Sequence, residues 1–367
     1  MRVSTSILIT HILIFINSFS VHANEDENLE GPPIVIEGPL KVQIGFNLMN
    51  ITDINERQET IDFDAAIYLN WMDPRLVYEP ADVGLGNDHD PSDYSRAPRR
   101  IYQGEFQIEE IFRGWRPHFV IPNGIGNRIT TNMSISIWPD GRVEYAETFY
   151  AKVETPMNMR LFPFDKQELE IFFHPFIYQR DEIVLIPDDR LARTWDQNMG
   201  IAEWKRNKVF MKEQPVEIAY FDDSKETVSE LIVTIDIERE PIHVLISIIL
   251  PKVILVSLTW CVFWMKNQNI SGRVNILFIG ILSVVAYYFV IQENLPKISY
   301  LTLIDGFIIT TFLVLAAGII ISVIVEKLDL SGRKETGDKL DRICRWAFPV
   351  GYIIISFLIG ILFINLP

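Results

Sequence analysis

The chain has 367 residues, with 48 Asp+Glu against 33 Lys+Arg, a formal net charge of −15, 49% hydrophobic residues and a mean hydropathy of +0.16. Positive mean hydropathy in so acidic a chain means two unlike parts: residues 1–240 carry a net −18 and residues 241–367 a net +3. That excludes a single soluble domain, a disordered chain and a nucleic-acid binder held by overall positive charge.

The N-terminus reads as a signal peptide over residues 1–23. Arg2 supplies the positive region, Ile7 to Phe19 the apolar run, and Val21-His22-Ala23 a small-residue cleavage site. Residues 24–240 then form the extracellular or periplasmic part. Short alternating runs mark strands: Lys41 to Phe46, Ile61 to Trp71, Ile135 to Trp138, Glu168 to Phe173 and Leu231 to Ile237, with Pro139-Asp140-Gly141 as a hairpin turn. Many short strands without a long helical period predict an all-β, antiparallel sandwich of the immunoglobulin-like type. The two cysteines, Cys261 and Cys344, fall in or beside later apolar runs, so the sandwich has no disulfide. About 215 residues bury a sufficient core without one. Asp82 to Arg99 reads as a polar loop. Its Asp88, Asp90 and Asp93 are the carboxylate type that calcium prefers, but a solvated acidic loop is the preferred reading, and no cofactor is expected.

Past Glu240 the chain becomes apolar. Spans of about 242–265, 272–292, 301–325 and 343–364 are each long enough to cross a bilayer, which needs about 20 residues. The linker 326–342 carries Lys327, Arg333, Lys334, Lys339 and Arg342, and the loop after the first span carries Lys266 and Arg273. Both are expected in the cytoplasm by the positive-inside rule, which places the sandwich and the C-terminus outside. Along the second span, Asn275, Ile279, Leu282, Ala286, Phe289 and Glu293 follow steps of four and three and share one helix face. In a ring of such helices Leu282 and Phe289 form apolar constrictions and Glu293 an acidic ring. A packed or lipid-facing helix has the same periodicity, so spacing alone leaves both readings open.

The ordered motifs go further. Trp71-Met72-Asp73-Pro74-Arg75-Leu76, Trp115-Arg116-Pro117 with Asn123, Phe162-Pro163-Phe164-Asp165, Leu250-Pro251 and Leu295-Pro296-Lys297-Ile298-Ser299-Tyr300 follow one another as in pentameric ligand-gated ion channels. The chain resembles a prokaryotic member of that Cys-loop receptor superfamily over about Val35 to Leu362. The superfamily's two bridging cysteines fall at Thr155 and Leu169, so the bridge is missing here. The stretch Val284 to Phe289 is most similar to the bacterial amine-gated branch.

The resemblance implies a homopentamer in a cell membrane, a sandwich of about ten strands followed by four helices, and no enzymatic activity. It makes α-helical span two the pore lining. It places an agonist site between subunits at His174, Phe176, Tyr178, Tyr220 and Phe221 of one copy and Tyr68 of the next. Such aromatics favour a cation at about 0.5–2 kcal/mol each. The agonist is a small molecule or protons. Phe162, Pro163, Phe164, Asp165, Arg239, Pro296 and Lys297 are implied to couple the sandwich to the pore. The net −19 of residues 24–240 and the Glu293 ring predict passage of monovalent cations. The alternative reading is a membrane-anchored sandwich that acts as a sensor or adhesion module without a pore.

Overall fold

The computed structural model describes residues 29, 31–33, 38–80, 99–104, 112, 114–188, 193–194, 203–219, 225–265, 270–294 and 297–365. The expected leader 1–23 and the loop residues Asp88, Asp90 and Asp93 lie outside these.

Two sheets face each other. The larger runs in the order β3 (Arg100–Gly104), β5 (Ile129–Ile137), β6 (Arg142–Glu154), β2 (Thr60–Met72), β1 (Leu40–Asn55) and β8 (Ile183–Pro187), with β9 (Arg193–Thr194) also on β1. The smaller runs β10 (Trp204–Ala219), β11 (Lys225–Arg239), β7 (Lys166–Pro175) and β4 (Phe119–Val120). The fold is thus a β-sandwich, as the alternation predicted. One edge departs from the antiparallel expectation: β8 and β9 pair with β1 in parallel. Parallel neighbours need a long crossover, and short-range turn signals do not reveal one.

Alternation places the core. On β2, Phe63, Ala65, Ile67 and Leu69 are buried, while Asp64, Tyr68 and Asn70 between them are partly open. Phe46 and Phe149 of the larger sheet meet Phe173 of the smaller one, with ring centroids 6.0 and 6.4 Å apart, and Phe63 packs between Phe46 and Phe149 at 6.4 and 6.1 Å. Such tilted aromatic packing ties the sheets together beyond simple area burial. The Pro139-Asp140-Gly141 turn joins β5 to β6. Gly141 sits at φ 82°, and a Cβ there would come within 2.6 Å of the Asp73 carbonyl oxygen. Asp73 itself is fully buried, accepts from the Arg75 backbone N–H at 3.1 Å and pairs with the Arg75 guanidinium at 2.8 Å. At Thr155 and Leu169 both side chains are buried, and Thr155 Oγ1 accepts from the Glu170 N–H at 3.0 Å. A hydrogen bond thus joins the two sides of that loop.

Four helices follow: α1 (Ile242–Trp264), α2 (Ile270–Asn294), α3 (Leu303–Leu330) and α4 (Lys334–Asn365), each long and apolar enough to cross a membrane. α1 widens into a π turn over Leu245–Ile249 just before Pro251, whose missing N–H breaks the regular ladder. Thr302 and Asp305 cap α3 reciprocally. Most of the expected linker 326–342 is helical. α3 continues to Leu330, and α4 already begins at Lys334. Hydropathy marks where a chain leaves the bilayer, not where its helix ends, and the Glu and Lys residues here are good helix formers.

At this end of the bundle Arg273, near the start of α2, is 8% exposed and Asp341 of α4 is 6% exposed. The guanidinium grips both carboxylate oxygens at 3.0 and 2.7 Å and donates to the Met265 carbonyl at 2.8 Å. Removing one partner of a buried pair strands the other charge. Asp341→Ala should therefore destabilise the protein by about 3 kcal/mol, read as a lowered thermal midpoint of the purified protein in detergent.

Candidate functional site

Three regions hold the residues singled out in the sequence: the seam between sandwich and helices, the open face of α2, and the surface at the end of β7.

The seam is built around Arg239, the last residue of β11 and 4% exposed. Its Nε donates to Asp165 Oδ1 at 2.8 Å and its Nη1 to Glu56 Oε1 at 2.6 Å. The guanidinium carbon stacks over Trp204 at 4.1 Å and over Phe162 at 4.8 Å from the ring centroids. Gln167 donates to Asp165 Oδ2 at 2.6 Å, so the carboxylate is fully engaged. Burial works against the Arg239 charge, but the hydrogen bonds and charges of Asp165 and Glu56 outweigh it and raise the Arg239 pKa. Glu56 behaves differently. Burial pushes its carboxyl above the ordinary glutamate value, Arg239 pulls it down by less, and Asp165 pushes it up again.

The loop that contains Phe162, Pro163 and Asp165 also touches the helices. The Tyr300 hydroxyl accepts from the Met159 N–H at 3.1 Å, and the Leu303 N–H at the start of α3 donates to the Arg160 carbonyl at 2.8 Å. Phe162, Pro163 and Asp165 are buried, whereas Phe164 is 48% exposed. Lys297 is exposed, and Pro296 lies outside the described residues. The structure therefore brings Asp165 and Arg239 together and adds Glu56, Trp204 and Tyr300. Glu56 opens the turn that follows β1; Trp204 carried no sequence signal, because its place depends on the β10–β11 register that pairs it with Arg239.

On α2, Asn275, Ile279, Leu282, Ala286, Phe289 and Glu293 are all exposed in the single chain. Ile279, Leu282 and Phe289 reach 61%, 62% and 65%. The opposite face is packed: Leu277, Val284 and Ile291 are buried, and a Cβ on Gly280 would come within 2.7 Å of the Thr259 methyl carbon of α1. One chain thus leaves this stripe without an internal partner surface, apolar in the middle and acidic at the end nearest the sandwich.

At the end of β7, Phe176 is 52% exposed and its N–H donates to the His118 carbonyl at 2.7 Å. Tyr178 accepts from Trp115 Nε1 at 2.9 Å, and the two rings meet edge to face at 5.9 Å. His174 is not on this open surface. It is 7% exposed, with Nε2 2.6 Å from Glu230 Oε2, and Gln214 donates to the other oxygen of Glu230 at 2.9 Å. The register that pairs Leu231 with Phe173 sets Glu230 opposite His174; nothing in the local sequence of β11 announces it. Tyr220 and Phe221 lie outside the described residues.

Tyr68 is on the outer face of the larger sheet, turned from the core. It borders an open cavity of about 430 Å³ with Ala66, Gln103 and Glu147. Glu147 is 4% exposed and takes hydrogen bonds from Thr130 at 2.6 Å and Tyr145 at 2.9 Å, with Arg128 at 3.2 Å. Burial and the Glu147 charge push the Tyr145 hydroxyl pKa well up. Tyr68 stands on β2 of the larger sheet and Phe176 just past the end of β7 of the smaller one.

Family comparison fits this architecture. A model of the neurotransmitter-gated ion-channel ligand binding domain matches residues 27–241, and one of the neurotransmitter-gated ion-channel transmembrane region matches residues 248–336. The chain belongs to the neurotransmitter-gated ion-channel family, and it is a multi-pass membrane protein. It is 25% identical over 333 residues to the proton-gated ion channel of Gloeobacter violaceus, covering 90% of this chain and 86% of that one. It is 23% identical over 275 residues to the pH-sensitive chloride channel 2 of Anopheles gambiae, covering 72% and 42%. It is 22% identical over 298 residues to the acetylcholine receptor subunit gamma of Gallus gallus, covering 78% and 54%. The chain thus spans about half the length of the two animal relatives.

The seam predicts a pH dependence. A carboxyl whose pKa is raised by folding adds stability below its unfolded value and loses it as pH rises through the folded value. Glu56→Gln removes that proton. The thermal midpoint of the variant should change less than that of the native protein across the pH range just above the ordinary glutamate pKa, read by a thermal melt at stepped pH.

Proposed function

We propose that five copies of this chain surround a pore lined by α2, and that a stimulus on the sandwich opens it to monovalent cations. The observation that carries this reading is the exposed α2 stripe. A stripe that carries Asn275 at one end and Glu293 at the other is ill suited to lipid, and five-fold closure turns it inward while leaving a central channel. Leu282 and Phe289 then form rings that close the pore by dewetting, and Glu293 forms a carboxylate ring at its mouth. The net −19 of residues 24–240 concentrates cations above that ring. The sandwich and C-terminus lie on the outer side of the cell membrane, the bacterial inner membrane, a topology supported by the basic residues at the end of α3 and the start of α4, Lys327, Arg333, Lys334, Lys339 and Arg342.

The stimulus acts where sandwich meets helices. Ligand binding shifts a channel only through tighter binding to the open form. Protons are the first ligand to consider. Glu56 has a raised pKa beside Arg239, and relatives at 25% and 23% identity are named as proton-gated and pH-sensitive. The second reading is a small organic agonist held between subunits, by Phe176 and Tyr178 of one copy and Tyr68 of the next. It is favoured by the half-exposed Phe176, an aromatic with no core role. Asp165, Arg239 and the Met159–Tyr300 contact then transmit the movement to α2 and α3.

Voltage-clamp recording from oocytes tests both readings, with pH steps first and a panel of small amines and carboxylates second. Leu282→Ala should raise the resting current and shift the stimulus midpoint about ten-fold lower, a change of about 1.4 kcal/mol in the closed–open balance. Reversal potentials in a sodium chloride gradient should follow sodium; following chloride refutes cation passage. Phe176→Ala should weaken an organic agonist several-fold and leave a proton response unchanged.

A further inference from the structure

His174 and Glu230 belong neither to the seam nor to the pore stripe. Each is 7% exposed, and His174 Nε2 lies 2.6 Å from Glu230 Oε2. Gln214 holds the second oxygen of Glu230 at 2.9 Å. The pair stands where a strand ladder stops. β7 and β11 pair from Lys166–Glu238 to Phe173–Leu231, and His174 and Glu230 are one step beyond. Past that point the β10–β11 ladder runs on to Ala219–Lys225, while β7 ends at Pro175 and leads into Phe176, Ile177 and Tyr178.

That segment is held in an unfavourable form. Ile177 has φ 76° and is 72% exposed. A β-branched residue rarely adopts positive φ, and such strain persists only where surrounding contacts impose it. Here the Phe176 N–H donates to the His118 carbonyl at 2.7 Å, Trp115 donates to the Tyr178 hydroxyl at 2.9 Å, and the Arg180 N–H donates to the Thr227 carbonyl at 2.7 Å. His174 adds a side-chain tie at the start of the segment. Histidine is the side chain whose charge changes between about pH 5 and 8. A neutral imidazole gives a carboxylate an ordinary hydrogen bond, whereas an imidazolium gives a charge-assisted one, about twice as strong. Alternation and register set Glu230 and Lys212 on the same face from β11 and β10, and Glu170 further back on β7. Arg180 is engaged with Glu213 at 3.1 Å. Carboxylates, amines and guanidiniums in general keep their charge over that pH range, which leaves the exposed His118 beside β4 as the other group nearby that titrates there.

We propose that His174 and Glu230 form a proton-operated latch on the Phe176 segment. Protonation of the imidazole tightens the latch and holds Ile177 in its strained form; loss of that proton loosens the segment. The latch rests neither on the pore nor on the identity of the stimulus. Where an organic agonist sits on Phe176, the second reading above, the latch makes that surface dependent on pH.

Hydrogen–deuterium exchange of the full chain in phosphatidylcholine nanodiscs tests this without any current or agonist. It is followed on peptides that cover Pro175–Ile183 and corrected for the intrinsic pH dependence of exchange. Peptides from β2 serve as the internal reference, because a global change in stability moves both sets. Relative to that reference, native protection over Pro175–Ile183 should be about five-fold greater near pH 6 than near pH 8. His174→Gln keeps a donor but carries no titrating charge, and it should show equal protection at the two pH values. Glu230→Gln should do the same, and His118→Gln should keep the native difference. Equal native protection at both pH values overturns the proposal. So does a His174→Gln protein that elutes as the native one on size exclusion and keeps the difference, or loss of the difference in His118→Gln. If His174→Gln and Glu230→Gln both fail to elute as the native protein, the native comparison and His118→Gln decide.

Discussion

Arg239 is the point on which the two halves of the molecule meet. It ends the last strand of the sandwich, with two residues between it and the start of the first membrane helix. A guanidinium there is buried at the edge of an apolar domain, which is tolerable only if its charge is matched. Asp165 and Glu56 match it from two different loops, and Trp204 and Phe162 cover its flat faces. Three segments far apart in the chain are thereby tied to one side chain. These partners all belong to the sandwich, so the cluster fixes the shape of its end next to the helices. The same loop that holds Asp165 reaches Tyr300 and Leu303 at the head of α3. A rigid connection between the domains exists without any covalent bridge.

The bundle shows a second constraint, visible as the contrast between the two faces of α2. One face is packed on α1 so closely that a Cβ at position 280 would come within 2.7 Å of the Thr259 methyl carbon. The other is bare. Apolar residues in a membrane protein gain nothing from facing lipid or neighbour as such, so hydropathy cannot distinguish the two faces. Packing does. Small residues and close approach mark the side that holds the helix, and the remaining side is free to meet other copies. At the far end, the Arg273–Asp341 pair fastens the start of α2 to α4. The helix is therefore held at its Arg273 end by charge and along its length by packing.

Much of the architecture was legible from residues alone. Period-two alternation identified β1, β2, β7 and β11, because one face of each is buried. Pro139-Asp140-Gly141 gave the hairpin, because Gly141 must adopt positive φ against the Asp73 carbonyl. Length and hydropathy gave four helices. The helix ends were not legible, since a helix of Glu and Lys continues past the bilayer where hydropathy stops. Nor was the parallel pairing of β8 with β1, which depends on a crossover rather than a turn. Of the surface at β7, Phe176 was found open, but His174 was found turned inward onto Glu230. A position on a motif gives neighbourhood; the direction of a side chain depends on strand register.

The sequence by itself therefore determined the division into an acidic sandwich and an apolar four-helix part, the strand faces and the stripe along α2. These follow from periodicity and composition, which are local properties. The tertiary structure alone decided which charges meet: Arg239 with both Asp165 and Glu56, His174 with Glu230, and Arg273 with Asp341. The physical reason is that the energy of a charge depends on its burial and its partners, and both are set by segments dozens to hundreds of residues away.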